Sequence, residues 1–122
     1  MARTRWVISG ALWMLLVALF SSSPAQSPKN VLIVVEGKSD LNSFAMSDGR
    51  QLATLLGHFT VKHTIVGADE YMRGSMAGYQ QVFYVGFNAK NVVPRAFLED
   101  VLAGTVPVMW LHTGFAEFSA SN

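Results

Sequence analysis

Apolar positions along this chain fall into unbroken runs and spaced stripes, and the two kinds take turns. Val31-Leu-Ile-Val-Val35 is apolar throughout, four of its five residues β-branched, and it ends in Glu36-Gly37. A strand apolar on both faces must be covered on both, as the central strands of a parallel sheet are. Gln81-Val-Phe-Tyr-Val-Gly86 is a second run of this kind. Thr105–Leu111 is another, with Pro107 near its start. Thr60–Val66 alternates instead: Val61, His63 and Ile65 share one face, Lys62 and Thr64 the other. That pattern predicts an edge strand.

Between the runs lie helical stripes. Ala45, Leu52, Leu56 and Phe59, with Leu55 beside them, follow helical spacing. Ser47 is the expected N-cap and Asp48 the first helical residue, with Gly57 ending the helix in a left-handed cap. Gly49 sits early in this helix, where it would permit a close approach to the sheet. Tyr71–Met76 reads as a short helix limited by Gly74 and Gly78. A further helix opens at Pro94, carries Phe97, Val101 and Leu102, and stops at Gly104. Another begins at Phe115.

Strands and helices in turn predict an α/β fold, and right-handed crossovers leave few arrangements of it. With the alternating strand at the edge and strands one and three in the centre, the order is 2-1-3-4, a three-layer, mostly parallel flavodoxin-like sheet. A complete sheet of that type has a fifth strand. Without it Val106, Val108 and Trp110 lie on an uncovered edge, so the chain is expected to be the front portion of a longer protein.

The N-terminus changes the reading of composition. Met1–Arg5 is a short basic segment, Trp6–Phe20 an uncharged apolar one, and Ser23 and Ala25 stand at the −3 and −1 positions of a cleavage site. The expected organisation is a signal peptide over residues 1–25, a linker over 26–30 and the α/β domain over 31–122. Cleavage would make the domain periplasmic or extracellular; an uncleaved signal would anchor it to the inner membrane. Removing Arg3 and Arg5 takes the formal charge from +1 to −1, so the basic balance belongs to the leader and gives no reason to expect nucleic-acid binding. The absence of cysteine excludes disulfides, a lipid-modified cysteine and a thiol nucleophile.

Ligands of open α/β sheets bind beyond the carboxyl ends of the strands, near the reversal of strand order. That collects Glu36, Lys38, Ser39 and Asp40 from the first loop, Asn88 and Lys90 from the third, and His112 and Thr113 from the fourth. Glu36 and His112 each end an apolar strand directly. Glycine-rich phosphate loops are missing, so no nucleotide site is expected. Ser39, Asn42 and Ser43 do not have the spacing of a flavin phosphate loop. His58, His63 and His112 lack metal-ligand spacing, and no nucleophile elbow is present. No metal or other cofactor is expected.

The segments Asn30–Gly37, Gln51–Phe59, Tyr79–Phe87, Pro94–Val101 and Pro107–Phe118 together resemble the front domain of exported bacterial polysaccharide-deacetylase-like proteins. The resemblance implies a flavodoxin-like, amidotransferase-like module ahead of a deacetylase-type barrel, in a cell-envelope or exopolysaccharide setting. That family's metal ligands lie in the barrel, and none is matched here. A non-catalytic accessory role follows, contacting polysaccharide or the barrel. The rivals are a small exported hydrolase using Glu36, Asp40 and His112, and a structural interaction domain pairing through its fourth strand.

Overall fold

The computed structural model describes residues 26–120. The expected signal peptide lies outside them. Four strands, β1 (Lys29–Val35), β2 (Val61–Gly67), β3 (Gln81–Val85) and β4 (Val108–Leu111), form one sheet in the order β2-β1-β3-β4. Every pairing is parallel. The expected α/β class and strand order are those of the molecule, which is flavodoxin-like. Among the described residues no helix is long and apolar enough to cross a membrane.

β1 occupies the centre because all five residues of its apolar run are buried, Ile33, Val34 and Val35 completely. Each such side chain contributes about 1.5–3 kcal/mol relative to exposure. Alternate residues feed two cores. Val31, Ile33 and Val35 pack with Ala45, Met46 and Ala53 of α1 (Phe44–Leu56). Leu32 and Val34 pack with Val82, Tyr84 and Phe97, the last from α2 (Arg95–Leu102). The two helices therefore cover opposite faces, and the reversal of strand order falls between β1 and β3. On the α2 face α3 (Phe115–Ala120) sets Phe118 against Trp110, ring centroids 5.8 Å apart.

The crossover from β2 to β3 has no α-helix. A single 3-10 turn at Ala68–Glu70 leads into successive turns, and Gly74 and Gly78 both adopt positive φ. Tyr71, Met76 and Tyr79 fill the space a helix would occupy. The Tyr71 hydroxyl fastens this segment to α2, donating to Asp100 Oδ2 at 2.7 Å and accepting from the Met76 amide at 3.1 Å. Burial first, then the hydrogen bond and the Asp100 charge, raise the Tyr71 pKa far above its ordinary value.

Several expected boundaries shift. β1 begins at Lys29, inside the expected linker, because the Lys29 amide reaches Thr60 O at 3.2 Å. α1 starts four residues before Asp48; Ser43 is its N-cap, accepting from the Met46 amide at 3.1 Å. Burial of Ala45 and Met46 selects that start over Ser47. Gly57 caps the helix with φ −62°, not in the left-handed region, while Phe59 lies past the helix end and is exposed. Gly104 does take a left-handed φ of +66° after α2. β4 is shorter than expected and starts after Pro107, whose carbonyl still accepts from Val82 N. At Gly49 a Cβ would stand 2.5 Å from Val35 Cγ1, which is the close approach expected there.

Candidate functional site

Parallel strands of one sheet all end on the same side, so the loops after β1, β3 and β4 meet there. Glu36 joins them. It follows β1 directly, and its amide donates to Val85 O of β3 at 2.9 Å. Its side chain is buried, 8% exposed. Oε2 accepts from the amides of Phe87 at 2.7 Å and Asn88 at 2.8 Å, and from the Thr113 hydroxyl at 3.4 Å. Oε1 accepts from the Asn91 side-chain amide. Burial alone would raise the pKa of this carboxyl, but the four hydrogen bonds outweigh it and hold the group below the ordinary range. Glu36 is thus an ionised clamp whose carboxylate, carried by the first loop, is committed to the third and fourth loops.

Two glycines let the loops close on one another. A Cβ on Gly86 would meet the carbonyl oxygen of Thr113 and lie 2.5 Å from its Oγ1. One on Gly67 would lie 2.5 Å from Ser39 N and 2.7 Å from Lys38 C. Ser39 completes the second junction. Its hydroxyl donates to Glu70 Oε2 and accepts from the Gly67 amide at 2.8 Å. The hydroxyl's bond to Glu70, and then that of the Ser39 amide to Glu70 Oε1 at 3.4 Å, lower the Glu70 pKa.

Above the clamp lies an open cleft of about 620 Å3. Glu36, Gly37, Lys38 and Asp40 line it from the first loop, Asp69 from the 3-10 turn, and Phe87, Asn88 and Asn91 from the third loop. Ser43, Phe44 and Ala45 close it at the start of α1. The rings of Phe44 and Phe87 stack at its wall, 4.8 Å between centroids and 20° from coplanar. Both stay in water, 69% and 50% exposed. Three carboxylates against one lysine give the lining an acidic balance. An open, partly apolar cleft of this size with a few polar groups suits a small polar ligand.

The expected site residues separate into groups. Glu36, Lys38, Asp40 and Asn88 share the cleft. Asp40 Oδ1 also accepts from Asn42 N at 3.0 Å, and Asn88 Oδ1 from Lys90 N at 3.0 Å. Lys90 is exposed in the third loop without lining the cleft, and Thr113 serves through Glu36. Ser39 serves the junction with β2. His112, exposed and at φ +67°, also lies outside the lining; its Nε2 is 3.5 Å from Asp48 Oδ2 on α1. Phe44, Phe87, Asp69 and Asn91 were not expected in the site. Phe87 and Asn91 lie in the third loop of the sequence, but an aromatic beside a strand end reads equally as core. Among the described residues, no group of three or more His, Asp or Glu side chains could hold a metal ion. Compared with protein-family models, curated proteins and solved structures, the chain matches none of them.

Proposed function

We propose that this chain is a non-catalytic, glycan-contacting module that binds sugar in the cleft between the first and third loops. The observation that carries the reading is the exposed Phe44–Phe87 stack beside that polar cleft. A pyranose offers one apolar face to a ring and hydroxyls to its sides, and this cleft has a ring wall with Lys38, Asp40, Asp69 and Asn88 around it. Water-exposed aromatics cost solubility without adding to the core, so their retention beside a cleft supports a contact role. The acidic lining favours neutral or amine-bearing sugars over uronic acids. The same reading extends to an exported setting, as the front module of a polysaccharide-deacetylase-like protein; what supports export is the basic, then apolar, then small-residue pattern of residues 1–25.

Glu36 supports the non-catalytic reading over the hydrolase. A general acid must hold a proton near neutral pH, whereas this carboxyl is held ionised by donors that already use it. Titration of the protein with neutral, amine-bearing and uronic-acid oligosaccharides, followed by amide chemical shifts, tests the proposal. Binding should perturb the Phe87–Asn91 loop. Phe87→Ala should weaken it about 2- to 10-fold, the range of about 0.5–1.5 kcal/mol for an aromatic contact, with stability nearly unchanged. Absence of binding at millimolar sugar, or undiminished binding by Phe87→Ala, would overturn the reading.

A further inference from the structure

We propose that the end of the domain where β1 and β2 begin docks on anionic phospholipid headgroups, leaving the cleft open at the far end of the sheet. The domain's formal charge of −1 hides a separation of sign. Lys29 and Lys62 stand exposed at the starts of β1 and β2, and Arg50, exposed on α1, shares a surface depression with His63 of β2. Two more depressions at this end hold Lys29 beside His58 and Lys62 beside His63. Among the described residues, no carboxylate lines any of the three. Glu36, Asp40 and Asp69 instead line the cleft beyond the other end of β1. The seven residues of β1, at about 3.3 Å each, set about 20 Å between the two ends. The potential of an anionic membrane fades within about 8 Å at physiological salt, so it acts on the cations and not on those carboxylates.

Two observations choose a lipid surface over a soluble polyanion. Phe59, 69% exposed, lines the same depression as Lys29, and an apolar ring among cations suits the boundary between headgroups and acyl chains. Gln26 and Ser27 line that depression too. The uncharged apolar segment Trp6–Phe20 ends 26 − 20 = 6 residue steps before Gln26, a reach of at most about 22 Å. While that segment is held in a membrane, the basic end is therefore kept at a high effective concentration of headgroups. Docking depends on the export reading of residues 1–25 and on no ligand in the cleft.

The chain has no cysteine, so Phe59→Cys and Val92→Cys each accept a single polarity-sensitive dye. Val92, 79% exposed, lies in the third loop at the cleft end and serves as the control. The labelled full chain is mixed with phosphatidylcholine vesicles, with and without phosphatidylglycerol. The dye at Phe59→Cys should shift to the blue on the anionic vesicles and far less on the neutral ones, while the dye at Val92→Cys should respond to neither. A Lys or Arg near such a surface contributes about fivefold. Lys29→Glu with Lys62→Glu, both exposed, should therefore raise the lipid concentration for half-response at least tenfold. Lys90→Glu with Arg95→Glu, the same change of net charge elsewhere, should leave it unaltered. Silence at Phe59→Cys on anionic vesicles, an equal response at Val92→Cys, or indifference to the Lys29 and Lys62 reversals would each overturn the docking. An equal shift with soluble polyglutamate would make the partner an acidic chain and overturn it as well.

Discussion

Replacing Glu36 with glutamine keeps the shape of the side chain and removes its charge, which isolates what the ionised clamp contributes. Three good hydrogen bonds end on this carboxylate, from Phe87 N, Asn88 N and the Asn91 amide; the Thr113 hydroxyl at 3.4 Å adds little. A bond to a charged partner contributes about 1.5–3 kcal/mol and a neutral one about 0.5–1.5. With its oxygen kept on the Phe87 and Asn88 amides, glutamine weakens each of those bonds by about 1 kcal/mol, and its Nε2 no longer accepts from Asn91 as it stands. The loss is partly offset because an amide is easier to bury and Asn91 can turn its own oxygen toward that nitrogen. The net expectation for Glu36→Gln is a destabilisation of about 2 kcal/mol, or a fall in Tm of about 10 °C at this domain size. Glu36→Ala also strips the buried loop amides of their partner and should lose about 3–5 kcal/mol. Urea unfolding measures both, with Trp110 fluorescence reporting on the core. Because the folded pKa is depressed, the clamp's contribution is complete above the unfolded value of about 4.5 and is lost as pH falls through the folded value below it. The wild-type advantage over Glu36→Gln should therefore hold at pH 7 and shrink on acidification. Equal stability of wild type and Glu36→Gln at pH 7, or an advantage that grows in acid, would refute the clamp.

Two further substitutions test the closures around the site. Gly86→Ala drives a methyl into the Thr113 backbone and should destabilise the fold by about 1–3 kcal/mol; a melting temperature within a degree of wild type would show that the loops have room to part. Tyr71→Phe removes the hydroxyl that holds the helix-free crossover to Asp100 and leaves the Met76 amide unpartnered, for a loss of about 1–3 kcal/mol. Amide exchange should then accelerate across Tyr71–Tyr79 more than in β1, and uniform acceleration would argue against a local fastening.

Strand order was legible because each strand carries its environment in its side chains. An unbroken Val31–Val35 run leaves no solvent face, while Lys62 and Thr64 in β2 demand one. The stop at Gly104 was equally local, whereas the left-handed cap expected at Gly57 is found at Gly104 instead. The start of α1 was not, since Ser43 and Ser47 are both good caps and only burial of Ala45 and Met46 against the sheet chooses between them. The α2-side crossover was misread as a helix at Tyr71–Met76 because its anchor, Asp100, lies far along the chain. The cleft was half legible. Strand ends located Glu36, Lys38, Asp40 and Asn88, but the Phe44–Phe87 stack joins two loops, and nothing near either residue records the other. Glu36 was singled out for its position, yet its role as a clamp depends on donors 51, 52, 55 and 77 residues away.

The central place of β1 has a kinetic consequence. Val31 lies opposite His63 on one side and Gln81 on the other, so no two neighbouring strands form a hairpin. Each pairing waits for a long loop to close, which makes nucleation of such a sheet slow. During that delay Val31–Val35 stands unpaired: β-branched, neutral, free of proline and glycine, the composition of a segment that stacks with its own kind. Lys29 before it and Glu36 and Lys38 after it act as gatekeepers, placing charge at both ends of the run. The strand best hidden in the folded molecule is thus the greatest hazard in the unfolded one, and Glu36 guards it before folding as well as clamping the loops after.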